Sequence, residues 1–317
     1  MNRRSLLAAP IAALATPAAV SRAWGQGRPP PGTATIVVGF AAGGIGDALA
    51  RLVAEAAKEK RGAQVIVENR PGAGGTVATE RVARAQPEGQ MIVLGSAGAL
   101  AVLPNQGNVG YDPLTDITPL AQLIAQPLPL YVRADSPFTD WRGVLAFARA
   151  NPGKFTWGTA GARSIAELMV EEAFKHEGVE TTTAPFRGGA EAIQALLGGH
   201  IMGVASPDYG PLLRQGAVRL MVESGPTPIP GHPEVPTFRS LGYPLCFPVS
   251  YGFVGPGRMT PEAAAWWESL MLELGRSPAM TEFADRYVGV AAVEDGAGYG
   301  RIIRDGYTTF RTILRAG

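Results

Sequence analysis

Apolar residues along this chain fall into short continuous runs, and these alternate with stretches where apolar positions recur every three or four residues. Ile36-Val37-Val38-Gly39-Phe40 is continuous, as a strand buried on both faces requires. After the glycine loop Ala41-Ala42-Gly43-Gly44, residues Leu49, Leu52, Val53 and Ala56 fall at i, i+3, i+4 and i+7 and mark one face of a helix. The same unit returns with Val65-Ile66-Val67, a turn over 70–75, a helix through Val82 and the run Met91-Ile92-Val93-Leu94. Strands alternating with helices predict a mostly parallel sheet covered on both faces. Residues 128–132 then read as an extended segment leaving this first unit.

A second series follows: a helix over 141–149, a strand over 155–157, the loop Gly158-Thr159-Ala160-Gly161-Ala162 and a helix through Met169 and Phe174. Strands over 181–184, 201–205 and 218–222 and a helix over 190–197 complete it, enough for a second sheet. The proline- and glycine-dense stretch 224–248 reads as a segment wrapping over a surface. After the apolar strand 251–254 the pattern turns helical, with Thr260 as an N-cap, Pro261 at the first helical position, and Trp267, Leu270, Met271 and Leu274 on one face. Tyr299, Ile302, Ile303 and Phe310 mark the last helix. Late helices without strands of their own need an existing sheet to cover, which predicts a return of the C-terminal part to the first unit. The expected architecture is α/β with two lobes, 27–130 plus 249–317 and 131–248, joined by two crossing segments that form a hinge. A chain of 317 residues also exceeds the roughly 250–300 at which single cores stop growing.

The first residues change the picture, because they read as an address. Arg3 and Arg4 precede an apolar, Ala-rich stretch over 6–20, and Ser21 and Ala23 offer a small-residue cleavage site, the layout of a secretory signal over 1–23. Pro10 and Pro17 break the apolar stretch, which disfavours a membrane-spanning helix. The order Arg3-Arg4-Ser5-Leu6-Leu7 also fits a twin-arginine signal. Without this segment, 28 basic and 27 acidic residues become 25 and 27, a net charge near −2. No like-charge run occurs, so neither a nucleic-acid face nor a polybasic membrane patch is expected. The one cysteine, Cys246, sits between Leu245 and Phe247 and reads as an inert, buried thiol.

Candidate chemistry is concentrated in two loops that each follow a strand and open a helix, at 41–46 and 159–163. A helix start presents free N–H donors and a positive dipole end, so an anion settles there without a charged side chain. Two such loops on two lobes can clamp one anion, beyond the carboxyl ends of the strands. Asp47 fits helix capping better than ligand contact. Arg163 can form a bidentate pair with a carboxylate or be a solvated surface residue. Ser164 can cap its helix or reach the ligand, and Arg187 reads first as a loop arginine. Asp208 can meet an amino group or hydroxyl, or cap a helix. The turn Pro71 to Gly75 lacks the third glycine of a dinucleotide fingerprint, and no Gly-Lys-Ser/Thr phosphate loop occurs. Three histidines without metal spacing and the lack of a Gly-x-Ser-x-Gly elbow leave neither a metal site, a cofactor nor catalysis as an expectation.

Read in order, these loops resemble one family, the Bug-type solute-binding receptors of tripartite tricarboxylate transporters. The resemblance rests on Phe40-Ala41-Ala42-Gly43-Gly44-Ile45-Gly46-Asp47, on Val67-Glu68-Asn69-Arg70-Pro71-Gly72-Ala73-Gly74-Gly75, and on Tyr111-Asp112-Pro113-Leu114-Thr115-Asp116. Asn151-Pro152-Gly153-Lys154, Pro185-Phe186-Arg187-Gly188-Gly189 and Pro233-Glu234-Val235-Pro236-Thr237 extend it over nearly the whole chain. It implies a type II periplasmic binding protein fold that closes like a clamshell, and a receptor that is no enzyme. It also implies a small carboxylate ligand held by backbone amides and hydroxyls of the loops 41–47 and 159–164, partly through water; with the readings above, the expected site residues are Phe40, Ala42, Gly43, Gly44, Asp47, Thr159, Gly161, Ala162, Arg163, Ser164 and Asp208. Family ligands include dicarboxylates, tricarboxylates, acidic amino acids and aromatic acids. The receptor would be a periplasmic monomer serving the membrane subunits of such a transporter or, alternatively, a sensor kinase. Arg163, Glu167 and Met202 depart from the family pattern, where a small residue, a histidine and an acid are usual.

Overall fold

The computed structural model describes residues 27–107, 109–162, 164–247 and 249–316; the signal expected over 1–23 lies outside them. The chain opens with β1 (Ala34–Val38), α1 (Ile45–Arg61), β2 (Val65–Asn69), α2 (Thr76–Ala83) and β3 (Met91–Gly95). A π-helical turn, Gly98–Val102, runs into α3 (Leu103–Gln106), and β4 (Ile117–Gln126) follows. The middle of the chain forms β5 (Pro129–Arg133), α4 (Trp141–Ala150), β6 (Thr156–Ala160), α5 (Ile165–His176), β7 (Thr182–Phe186), α6 (Gly189–Leu197) and β8 (Gly203–Ala205). A 3-10 turn, Pro207–Tyr209, leads to α7 (Gly210–Arg214), β9 (Val218–Glu223) and α8 (Phe238–Leu241). The last part is β10 (Val249–Pro256), α9 (Pro261–Gly275), α10 (Pro278–Tyr287), β11 (Val290–Asp295) and α11 (Gly296–Ala316).

Two sheets result, ordered β11-β4-β10-β3-β1-β2 and β7-β6-β8-β5-β9. The expectation of mostly parallel sheets is corrected. β2-β1-β3 and β7-β6-β8 are parallel, but β3-β10, β10-β4, β4-β11, β8-β5 and β5-β9 are antiparallel. The cause is connectivity. β4 carries the chain out of the first sheet and β10 carries it back along the same path, Ile117 opposite Pro256 and Gln126 opposite Val249, so the two must run in opposite senses. β4 and β11 are strands that the hydrophobic pattern did not mark. The chain passes between sheets at 127–128 and returns ahead of Val249.

Helix packing follows the predicted stripes. Leu49, Val53 and Ala56 of α1 and Trp267, Leu270 and Met271 of α9 share one core with Ile36, Val38 and Ile92 of the first sheet. Thr260 caps α9 as expected, accepting the Ala263 amide on Oγ1 at 3.3 Å, with Pro261 beginning the helix. In the second lobe, Trp141, Phe155, Trp157 and Phe174 stack in one cluster. The stretch 224–248 contributes more than a surface wrap: Phe238 and Tyr243 enter that core, and the Trp141 indole N–H donates to the Tyr243 hydroxyl at 2.7 Å. Val102, Val249 and Phe310 extend the same cluster into the first lobe, so the hinge is packed.

The crossing is also held by a buried acid. Glu223 Oε1 accepts the Leu128 amide at 3.1 Å and the Gly225 amide at 2.8 Å, while Ser224 Oγ donates to the Leu128 carbonyl. Glu223 Oε2 is buried with no hydrogen-bond partner among the described residues. Burial pushes the Glu223 carboxyl up to about 7, against the opposing effect of the two amides.

Candidate ligand-binding site

The two lobes meet face to face in this structure. The Ala41 amide of the first lobe donates to the Arg187 carbonyl of the second at 3.1 Å, and the Tyr209 hydroxyl donates to the Val288 carbonyl at 3.2 Å. Between them lies a small inner cavity of about 50 Å³. Gly44, Ile45 and Ser96 contribute to its wall from the first lobe, and Ser164, Gly189 and Asp208 from the second. Phe40 stands between this space and an outer cleft of about 330 Å³ bordered by Pro71, Gly161 and Arg187.

The first loop owes its shape to glycine and to Asp47. Gly43 takes φ +91, a left-handed geometry that L side chains rarely adopt, and its amide donates to Asp47 Oδ2 at 3.1 Å. Asp47 thus reaches back over the first turn of α1, as its capping reading required, and it also pairs with Arg51 at 3.0 Å. Burial opposes its ionisation, yet the bonds from Arg51 and the Gly43 amide hold its carboxyl below the usual range. Phe40 and Gly44 line the cavity, whereas Ala42 and Gly43 are exposed and lie outside its wall.

In the second lobe Ser164 performs the capping role. Its Oγ accepts the Glu167 amide at 3.3 Å at the start of α5, and Ser164, Ile165 and Ala166 all border the cavity. Replacing Ser164 by alanine is expected to cost about 1 kcal/mol of stability, read as a lower denaturant midpoint of the unliganded protein. Thr159 is fully buried and donates to the Gly161 carbonyl at 3.1 Å, a structural bond that keeps its hydroxyl away from the cavity. Gly161 and Ala162 face the outer cleft, and Arg163 lies outside the described residues. Arg187 is exposed and paired with Glu191 at 2.8 Å.

Asp208 reaches furthest across. It sits in the 3-10 turn after β8, and its Oδ1 accepts the Ile45 amide of the opposite lobe at 2.6 Å. Of the two readings open in the sequence, the structure shows the capping one, applied to a helix 163 positions away. Ser96 and the residues after it, and Gly189 at the start of α6, were not among the site candidates. Gly95-Ser96-Ala97-Gly98 follows strand β3 and opens a helical turn, the same signal that marked the two chosen loops.

A family profile described as the tripartite tricarboxylate transporter family receptor matches residues 49–316. The chain belongs to this family. A relative from Cupriavidus necator, described as a UPF0065 protein, is 35% identical over 228 residues, 72% of this chain and 69% of its own length. Among solved structures, the periplasmic binding protein BugD superposes with a TM-score of 0.83 at 25% identity, covering 90% of this chain and 98% of that one. MatC from Rhodopseudomonas palustris with bound malate gives a TM-score of 0.81 at 25% identity, covering 90% and 99%. This tricarboxylate transporter family receptor is accordingly a solute-binding protein of two-lobed periplasmic fold, and not an enzyme.

Proposed function

We propose that this receptor captures a small carboxylate between its lobes in the periplasm and delivers it to the membrane subunits of a tripartite tricarboxylate-type transporter. The two lobes then move as two bodies about the crossings at 127–128 and ahead of Val249, so the expected boundary at 130/131 shifts to put all of β5 in the second lobe. The observation that carries the reading is the convergence of the starts of α1, α5 and α6 on one cavity whose described wall residues include no Lys, Arg or His. The first amides of a helix have no intrahelical acceptor, and together with the dipole they favour a negative charge. Malate in the similar structure of MatC is consistent with such a grip.

A thermal-shift screen of mono-, di- and tricarboxylates tests this. A compound that binds only the folded protein adds about 2.7 kcal/mol at a hundredfold excess over its dissociation constant, so one or more members should raise the melting temperature clearly. Silence across the whole panel sinks the reading.

A further inference from the structure

The three helix starts at the inner cavity do not have the same occupant. At α1 the Ile45 amide is already taken by Asp208 Oδ1, at 2.6 Å. Oδ2 of the same carboxylate lies against the first residue of α6, so close that a Cβ on Gly189 would sit 1.7 Å from it. Gly189 therefore gives Asp208 its room. A Cβ on Gly44 would come within 3.1 Å of Oδ1, so glycine accommodates the carboxylate on both sides. At the start of α5 the Ser164 hydroxyl accepts the Glu167 amide.

Among the described residues, no cation in the wall balances the charge of Asp208. Asp47, the other carboxylate bordering the cavity, is paired with Arg51. Asp208 is 9% exposed, and among the described residues no Lys, Arg or His lines the cavity with it. The ionisable groups whose titration its charge affects are phenols, those of Tyr131, Tyr251 and Tyr287. Burial pushes its own carboxyl up, opposed by the Ile45 amide and Ser206. A buried carboxylate held by neutral dipoles gains most from a cation brought by the ligand.

We propose that Asp208 is the specificity-determining residue of the cleft: it fixes one negative charge between α1 and α6, leaves α5 for a single ligand carboxylate, and selects monocarboxylates bearing an ammonium group over dicarboxylates. The proposal rests on reading the cleft as a carboxylate site. A second ligand carboxylate would face Asp208 across a space that excludes most water, where like charges repel strongly. An ammonium group in its place would pair with Oδ2.

The test is calorimetric titration with pairs in which one carboxylate is exchanged for an amine: malate with 3-amino-2-hydroxypropanoate, glutarate with 4-aminobutanoate, and isobutylmalonate with leucine. In the wild-type protein the amino member of a binding pair should be tighter by about tenfold or more. In Asp208→Asn the ratio should fall to about one, with Asp208→Ala as a second variant and circular dichroism to verify folding of both. A tighter diacid in the wild type overturns the assignment, including the case where Asp208 shares a proton with it. So does an amino preference that survives in both variants. Diacid binding alone leaves the carboxylate reading standing and removes only this inference, while silence from every pair removes both.

Discussion

Glu223→Gln should make the receptor more stable than wild type by up to about 3 kcal/mol above pH 7, with the difference falling below about 1 kcal/mol near pH 5. The folded carboxyl titrates at about 7 against an ordinary 4.5, because it is buried with Oε2 unpartnered. Between those values the native state binds a proton that the unfolded chain has released, so stability falls as pH rises. Each unit is worth roughly 1.4 kcal/mol, and the group's contribution is full below 4.5 and lost as pH passes 7. Glutamine keeps an Oε1 acceptor for the Leu128 and Gly225 amides and has no charge to bury.

Denaturant midpoints at pH 5, 6, 7 and 8 would check this, compared between the two proteins so that other titrating groups cancel. Asp208 is shifted in the same direction but is common to both. Asp47, Glu68 and Glu273 are held low by their arginine and lysine partners, so their contributions are lost only as pH falls further into the acid range. A variant with the wild-type pH slope, or one less stable at pH 8, would refute the assignment of a strained acid at the hinge.

The strand and helix series was legible because continuous apolar runs and helical stripes report burial directly. Leu49, Val53 and Ala56, or Trp267, Leu270 and Met271, can be read without knowing what they touch. β4 was not legible for the opposite reason. Gln122 and Gln126 are buried within it, and their amides donate to the carbonyls of Ala292 and Tyr287, partners supplied by tertiary structure. β11 pairs at the sheet edge and leaves Val290 half exposed, so no hydrophobic signature marks it.

The candidate site divides along the same line. Local chemistry was readable: the caps made by Asp47 and Ser164 follow from residue type and position at a helix start. What could not be read was direction. Thr159 turns back to Gly161, Ala42 and Gly43 face outward, and Asp208 spans the cleft to Ile45, all consequences of how two lobes separated in sequence come together. The Ser96 loop has the same local form, a strand, a short loop and a helical turn, but nothing in Gly95-Ser96-Ala97-Gly98 itself says that it faces the opposite lobe.

Gly210→Ala should weaken ligand binding by about 5- to 150-fold while leaving each lobe folded. Gly210 opens α7 with φ −52 and ψ −52, a helical geometry that alanine adopts freely and that favours alanine over glycine in a helix. The obstacle lies in the other lobe. A Cβ at this position would sit 2.6–2.7 Å from the backbone of Tyr287 at the end of α10, and backbone cannot move aside as a side-chain tip can. The methyl group therefore penalises the approach of the lobes, by about 1–3 kcal/mol if it acts as an ordinary overpacking. A ligand that needs both lobes loses that amount from its affinity. Titration of Gly210→Ala against wild type measures the loss. Gly143→Ala in α4 serves as the control, because its Cβ would meet only Asp140 Oδ1 at an ordinary 3.5 Å within the same lobe. If Gly210→Ala binds as tightly as the wild type, closure of the lobes onto this contact is not what holds the ligand.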